Sequence, residues 1–60
     1  MTRQELKDRR ERLGLSQRGL AEALDVTETT VARWERGERP LPGKMLELSL
    51  TTLEKAHAGA

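Results

Sequence analysis

The chain contains no cysteine, which excludes disulfides, a thiolate zinc site and thiol chemistry, and leaves the redox compartment open. Phenylalanine and tyrosine are absent, one tryptophan is the only aromatic residue, and β-branched apolar residues are few. Strands draw on those residue types, so an all-α fold with a leucine core is expected. The single histidine, His57, lies near the carboxyl end with nothing to orient it, and the five glycines are dispersed at helix ends and in loops. Without a nucleophile and base, a metal-ligand cluster or a glycine-rich phosphate loop, the chain is expected to be no enzyme and to take no metal, cofactor or small-molecule ligand. No apolar run approaches membrane-spanning length, and the charged amino terminus has no apolar signal core. A soluble cytoplasmic protein with no membrane partner is the expectation.

What is present is small and strongly charged. Sixty residues make one domain, residues 1–60, near the lower limit for independent folding, so a partner subunit or ligand is expected to add stability. Hydrophobic residues are 35% of the chain and charged residues another 35%, yet the net charge is only +1. Arg9, Arg10, Arg12, Arg18, Arg33, Arg36, Arg39 and Lys44 share their span with Glu11, Glu22, Asp25, Glu28, Glu35 and Glu38. That weak positive bias suits nucleic acid, and it also suits a solvated helical surface laced with ion pairs.

Residues 16–37 organise the rest. Ser16 fits the cap of a helix over 17–24, and Thr27 the cap of another over 28–36 that stops at Gly37. Only Asp25 and Val26 separate them, so the helices must cross steeply, with Leu20, Ala21, Leu24, Val26, Val31 and Trp34 available to fill the angle. This is a helix-turn-helix layout. Asp25 stands where the hinge asks for a positive φ, a conformation Asp accepts less readily than Gly, so mild strain is expected.

Ahead of this unit, Thr2 to Glu5 reads as a capping box, the Glu5 side chain reaching back to the Thr2 amide. Leu6 and Leu13 share a face of the first helix with Arg10 between them. A guanidinium there calls for an acceptor, and Glu35, beside Trp34, supplies one, so an Arg10–Glu35 clamp is expected in preference to two side chains reaching for water. Gly14 ends this helix in the left-handed conformation, and Leu15 enters the core. Gly19, inside a helix, is read as tolerated, the alternative being that it permits close approach of another backbone.

Beyond Gly37, Pro40 and Pro42 impose an extended connection, with Pro42 as first residue of a last helix over about 42–56 and a frayed tail over 58–60. The apolar residues of that helix, Leu48, Met45, Ala56, Leu53, Leu46 and Leu50, spread over roughly 200° at about 100° per residue. The surplus, Met45 and Leu48, is read as a homodimer contact, the alternative being a broad core face.

The residues Leu6, Arg10, Leu13-Gly14-Leu15-Ser16-Gln17, Leu20-Ala21, Leu24, Val26-Thr27, Thr30-Val31, Trp34-Glu35-Arg36-Gly37 and Arg39-Pro40 resemble the phage repressor and Cro-type, or XRE, helix-turn-helix family. The resemblance covers about residues 3–42. It implies a compact four- or five-helix, lambda-repressor-like DNA-binding domain whose third helix lies in the major groove of double-stranded DNA and whose dimer reads a palindromic operator. Asp25 departs from the family's usual Gly, Gly19 from its usual Glu or Ala, and the last segment reads as one helix where the family has two.

On that footing the exposed side of the third helix supplies the base readers, Glu28, Thr29, Ala32 and Arg33. Arg33 can donate twice to guanine. Glu28 fits two roles, accepting from a cytosine amino group or favouring the positive end of the helix dipole, while Thr29 and Ala32 can touch thymine methyls. The phosphate set is Gln17, at the position where the resemblance implies a phosphate-binding glutamine, with Thr27, Thr30 and the cations Arg18, Arg36, Arg39 and Lys44, each of which fits a plain solvated role equally well. The expected function is a small dimeric bacterial or phage repressor. The rival is an antitoxin-type module that binds a protein partner through Met45 and Leu48 and autoregulates its own operon.

Overall fold

A computed structural model describes the backbone of residues 1–58 and the side chains of residues 1–56. The side chain of His57, and the tail expected at Gly59 and Ala60, lie outside the described residues. The chain forms α1 (Arg3–Arg12), α2 (Gln17–Leu24), α3 (Glu28–Arg36) and α4 (Lys44–Ala58). This is a four-helix, all-α domain, with one helix after Gly37 and no fifth among the described residues. None of its helices is long and apolar enough to cross a membrane.

Local chemistry opens and closes the first three helices. Thr2, Ser16 and Thr27 sit in extended backbone, and their hydroxyls accept from the amides of Glu5, Gly19 and Thr30. The capping box at Thr2 is half made: the Glu5 amide donates to Thr2 Oγ1 at 3.1 Å, but the Glu5 carboxylate stays exposed without the return bond, because at a solvated helix end water serves the Thr2 amide as well. At the other ends one hydrogen-bond pattern recurs. Leu15 donates to the Arg10 carbonyl and Gly14 to Glu11, Val26 to Ala21 and Asp25 to Glu22, Glu38 to Arg33 and Gly37 to Trp34. Each is a Schellman closure pivoting on a left-handed residue: Gly14 at φ 71°, Asp25 at φ 59° and Gly37 at φ 78°. Asp25 is the one non-glycine residue with positive φ among those described.

Leu6, Leu13, Leu20, Ala21, Val31, Trp34, Leu46 and Leu50 form the buried core, with Leu15, Leu24, Val26 and Leu53 packed partly against it. The α3 helix lies against both α1 and α2, whereas the α4 backbone keeps a greater distance and reaches the core through side chains. Its first backbone bond runs from the Glu47 amide to the Gly43 carbonyl, which puts Gly43 in the N-cap position and Pro42 outside the helix. The expected start at residue 42 is therefore two residues early: proline fits the stretch before a helix as well as its first turn, and here the chain is not yet helical at Pro42. The helix also runs on to Ala58, past the expected end near Ala56.

A second clamp holds α4 to α1. Arg9 Nη2 donates to Glu54 Oε1 at 2.6 Å, Arg9 Nε to Glu54 Oε2 at 3.1 Å, and Arg9 Nη2 to Thr51 Oγ1 at 3.4 Å. The hydrogen bond from Arg9 holds the Glu54 carboxyl below the ordinary carboxylate range, with partial burial opposing it and the charges of Arg9 and Arg12 assisting.

A carboxyl whose folded pKa is depressed contributes its stability above the unfolded value, about 4.3, and loses it as the pH falls through the lower folded value. Wild-type protein is therefore expected to lose its stability advantage over Glu54→Gln as the pH drops below that unfolded value. Thermal melts across the acid range check this, and parallel curves would show that the clamp contributes nothing. Gly19 makes no close backbone approach: a Cβ there would meet only Leu15 Cδ2 and Ser16 Oγ, both at 3.4 Å, and Leu15 Cβ at 3.7 Å. Gly19→Ala is expected to stabilise by about 0.5–1 kcal/mol, a rise of roughly 3–6 °C in Tm by calorimetry.

Candidate nucleic-acid interface

At about 100° per residue, Glu28, Thr29, Ala32, Arg33 and Arg36 fall within roughly 140° on one side of α3, opposite Val31 and Trp34, which are 0% and 5% exposed. Glu28, Thr29, Arg33 and Arg36 are exposed and Ala32 is half-buried. The core thus fixes which side of α3 is available to a partner. Thr27 and Thr30 hold its amino end: the Thr30 amide donates to Thr27 Oγ1 at 3.2 Å and the two hydroxyls lie 2.8 Å apart. Only one hydroxyl proton is needed between them, which leaves the other free to donate outward.

Behind α3 lies the Arg10–Glu35 pair. Arg10 Nε donates to Glu35 Oε2 at 2.7 Å and Nη2 to Oε1 at 3.1 Å, while Nη1 donates to the Leu15 carbonyl at 2.9 Å. The side chains are only 11% and 6% exposed, so a two-point pair nearly out of water fastens α1 to α3. The hydrogen bond to Glu35 and its charge raise the Arg10 pKa further above neutrality, against the opposing effect of burial, and Arg10 stays charged. Glu35 Oε1 also accepts from Gln17 Nε2 at 3.2 Å. The amide at the start of α2 is therefore oriented from within.

The cations differ in how they are engaged. Arg18 pairs with Glu22 at 3.4 Å and Arg36 with Glu38 at 3.2 Å, both on open surface. Exposed pairs of this kind are worth about 0–1 kcal/mol and yield easily to a phosphate. Arg33, Arg39 and Lys44 are exposed and make no side-chain hydrogen bond or ion pair among the described residues. Met45 and Leu48 lie on α4, apart from the α3 surface, at 79% and 58% exposure.

Two positioning contacts escaped the reading of the sequence. Arg3 Nη1 donates to the Arg36 carbonyl at 2.8 Å and lies against Gly37, where a Cβ would collide with it. The start of α1 thereby closes the end of α3. The Arg9–Glu54 clamp was the other, and its signal was present: Arg9 stands three residues after Leu6 and four before Leu13, on the same stripe as Arg10.

A family model described as helix-turn-helix matches residues 6–55. Comparison with curated proteins and with solved structures gave no match.

Removing the Glu35 carboxylate leaves Arg10 charged and nearly buried without its two-point acceptor. Glu35→Ala is expected to cost about 3 kcal/mol, measured as a fall in the denaturant midpoint. An unchanged midpoint would mean that Arg10 reaches water at no cost.

Proposed function

We propose that this chain, which belongs to the helix-turn-helix family of the XRE kind and is a DNA-binding regulator, works as a small dimeric repressor that reads a palindromic operator with α3 in the major groove. The observation that carries the reading is the outward face of α3, where an unengaged Arg33 stands with Glu28, Thr29 and Ala32 while Val31 and Trp34 hold the opposite face in the core. Arg33 donates two hydrogen bonds to O6 and N7 of guanine. Glu28 accepts from a cytosine amino group, and Thr29 with Ala32 meets thymine methyls.

Phosphates set the register. Gln17 keeps an amide hydrogen beyond the one given to Glu35, and Thr27 or Thr30 supplies a hydroxyl. Arg39 and Lys44 bring charge that no acid neutralises, and Arg18 and Arg36 contribute once their surface pairs open. Met45 and Leu48 make the dimer contact. Such a protein acts where the DNA is, in the bacterial cytoplasm or nucleoid, and its occupancy of the operator rises with its own concentration as dimers form.

Selection from randomised duplexes with the purified protein is expected to return a two-fold symmetric consensus, and an enriched pool with no consensus would overturn the reading. On the selected duplex, Arg33→Ala is expected to weaken binding by about 1–3 kcal/mol, roughly 5- to 150-fold, and to leave a scrambled duplex unaffected. Arg39→Ala should weaken both duplexes alike and make the salt slope shallower by about 0.9 for each copy bound. Equal losses for Arg33→Ala on the two duplexes would remove its base-reading role.

A further inference from the structure

Arg3 stands two turns before Arg10 and within about 20° of it around α1, so the stripe that fastens α1 to α3 through Glu35 carries a second guanidinium. This one meets the carboxyl end of α3. Its Nη1 donates to the Arg36 carbonyl at 2.8 Å, and its Cζ and Cδ lie 3.3 and 3.4 Å from where a Cβ on Gly37 would stand. The missing side chain of Gly37 leaves the room that Arg3 fills.

Arg10 shows how such a side chain divides its donors. Its Nη1 serves a backbone carbonyl, that of Leu15, while Nε and Nη2 grip the two oxygens of Glu35. Arg9 turns the same Nε–Nη2 edge on Glu54. Arg3 makes the first half of that pattern without the second: Nη1 is given to a carbonyl, and the Nε–Nη2 edge of this exposed residue has no acceptor among the described residues. Two parallel N–H groups match two oxygens of a carboxylate or a phosphate.

The surroundings favour the phosphate. Glu38 is the one acid between Arg36 and Gly43, and it is already paired with Arg36 at 3.2 Å. Arg39, in the turn that leaves α3, has no partner among the described residues. The nine residues of α3 span about 13.5 Å, close to the width of the major groove, about 12 Å. A helix lying across that groove with its outward face on the bases therefore brings its two ends to the two sugar–phosphate walls. Thr27 stands at one end and Arg3 at the other. A guanidinium already fixed by a carbonyl also gives up little further freedom on meeting its ligand.

We propose that Arg3 joins Arg36 and Arg39 as a phosphate ligand, its Nε–Nη2 edge gripping the DNA backbone at the carboxyl end of α3 while Nη1 stays on the Arg36 carbonyl. This rests on the reading of α3 given above.

Binding is measured over a salt series on the duplex enriched by selection and on its scrambled form, with a thermal melt of each variant. Arg3→Ala is expected to weaken both duplexes alike, by about tenfold at low salt, and to make the salt slope shallower by about 0.9 for each copy bound. Arg3→Lys, which keeps the charge without the fork, should keep the wild-type slope and recover only part of the affinity. Full recovery by Arg3→Lys would overturn the two-point grip. A lower thermal midpoint or weaker binding in Arg3→Ala with the slope unchanged would reduce Arg3 to a cap on α3, and the inference would fail alone. A wild-type slope near zero would mean that α3 does not dock against phosphates, and both readings would fall together.

Discussion

One carboxylate holds the arrangement together. Glu35 is on α3, and its two oxygens receive Arg10 from α1 and Gln17 from α2, while the same guanidinium reaches the Leu15 carbonyl in the link between those helices. A charge pair so far removed from water is poor value as a source of stability, since apolar residues of equal volume often do as well. Its worth is geometric. Leucine side chains tolerate sliding and rotation, whereas a two-point guanidinium–carboxylate bond fixes distance and angle together. The exposed face of α3 thus inherits its aim from a contact on its hidden side.

The same division runs through the rest of the fold. Burial decides which side of each helix faces inward, but hydrogen bonds at the helix ends decide where each helix begins and in which direction the chain leaves. Thr2, Ser16 and Thr27 open the first three helices, and Gly14, Asp25 and Gly37 turn the chain at their ends. Asp25 performs a task for which Gly is better suited, and the Schellman bonds from Asp25 and Val26 compensate for that strain in the hinge between α2 and α3.

Features set by neighbours in sequence were legible from the residues. The caps, the left-handed turns, the order of helices and the core positions of Leu6, Leu20, Val31 and Trp34 each depend on spacing within a few residues or on the period of a helix. Arg10 and Glu35 were legible for another reason, since each is a charge on an apolar stripe and such a charge needs a partner. Glu54 gave no such signal. It is half-buried on α4, and only the fold brings Arg9 to it and to Thr51 one turn before it. The start of α4 was misplaced because proline fits both the first turn of a helix and the extended stretch before one, and Gly43 settles the choice here. On the surface, the pairing of Arg18 with Glu22 follows helical spacing, but that of Arg36 with Glu38 and the reach of Arg3 to the Arg36 carbonyl depend on the turn after α3.

The three successive closures also bear on how fast the chain can fold. Each of α1, α2 and α3 is started and stopped by residues within or immediately beside it, so each turn can be sampled before the others exist. Joining neighbouring pieces closes only short loops, at small entropic expense. Helical domains of this kind reach the native state in microseconds to milliseconds. The clamp on α4 is the exception, since it joins Arg9 to Glu54 across 45 residues and so closes a far longer loop.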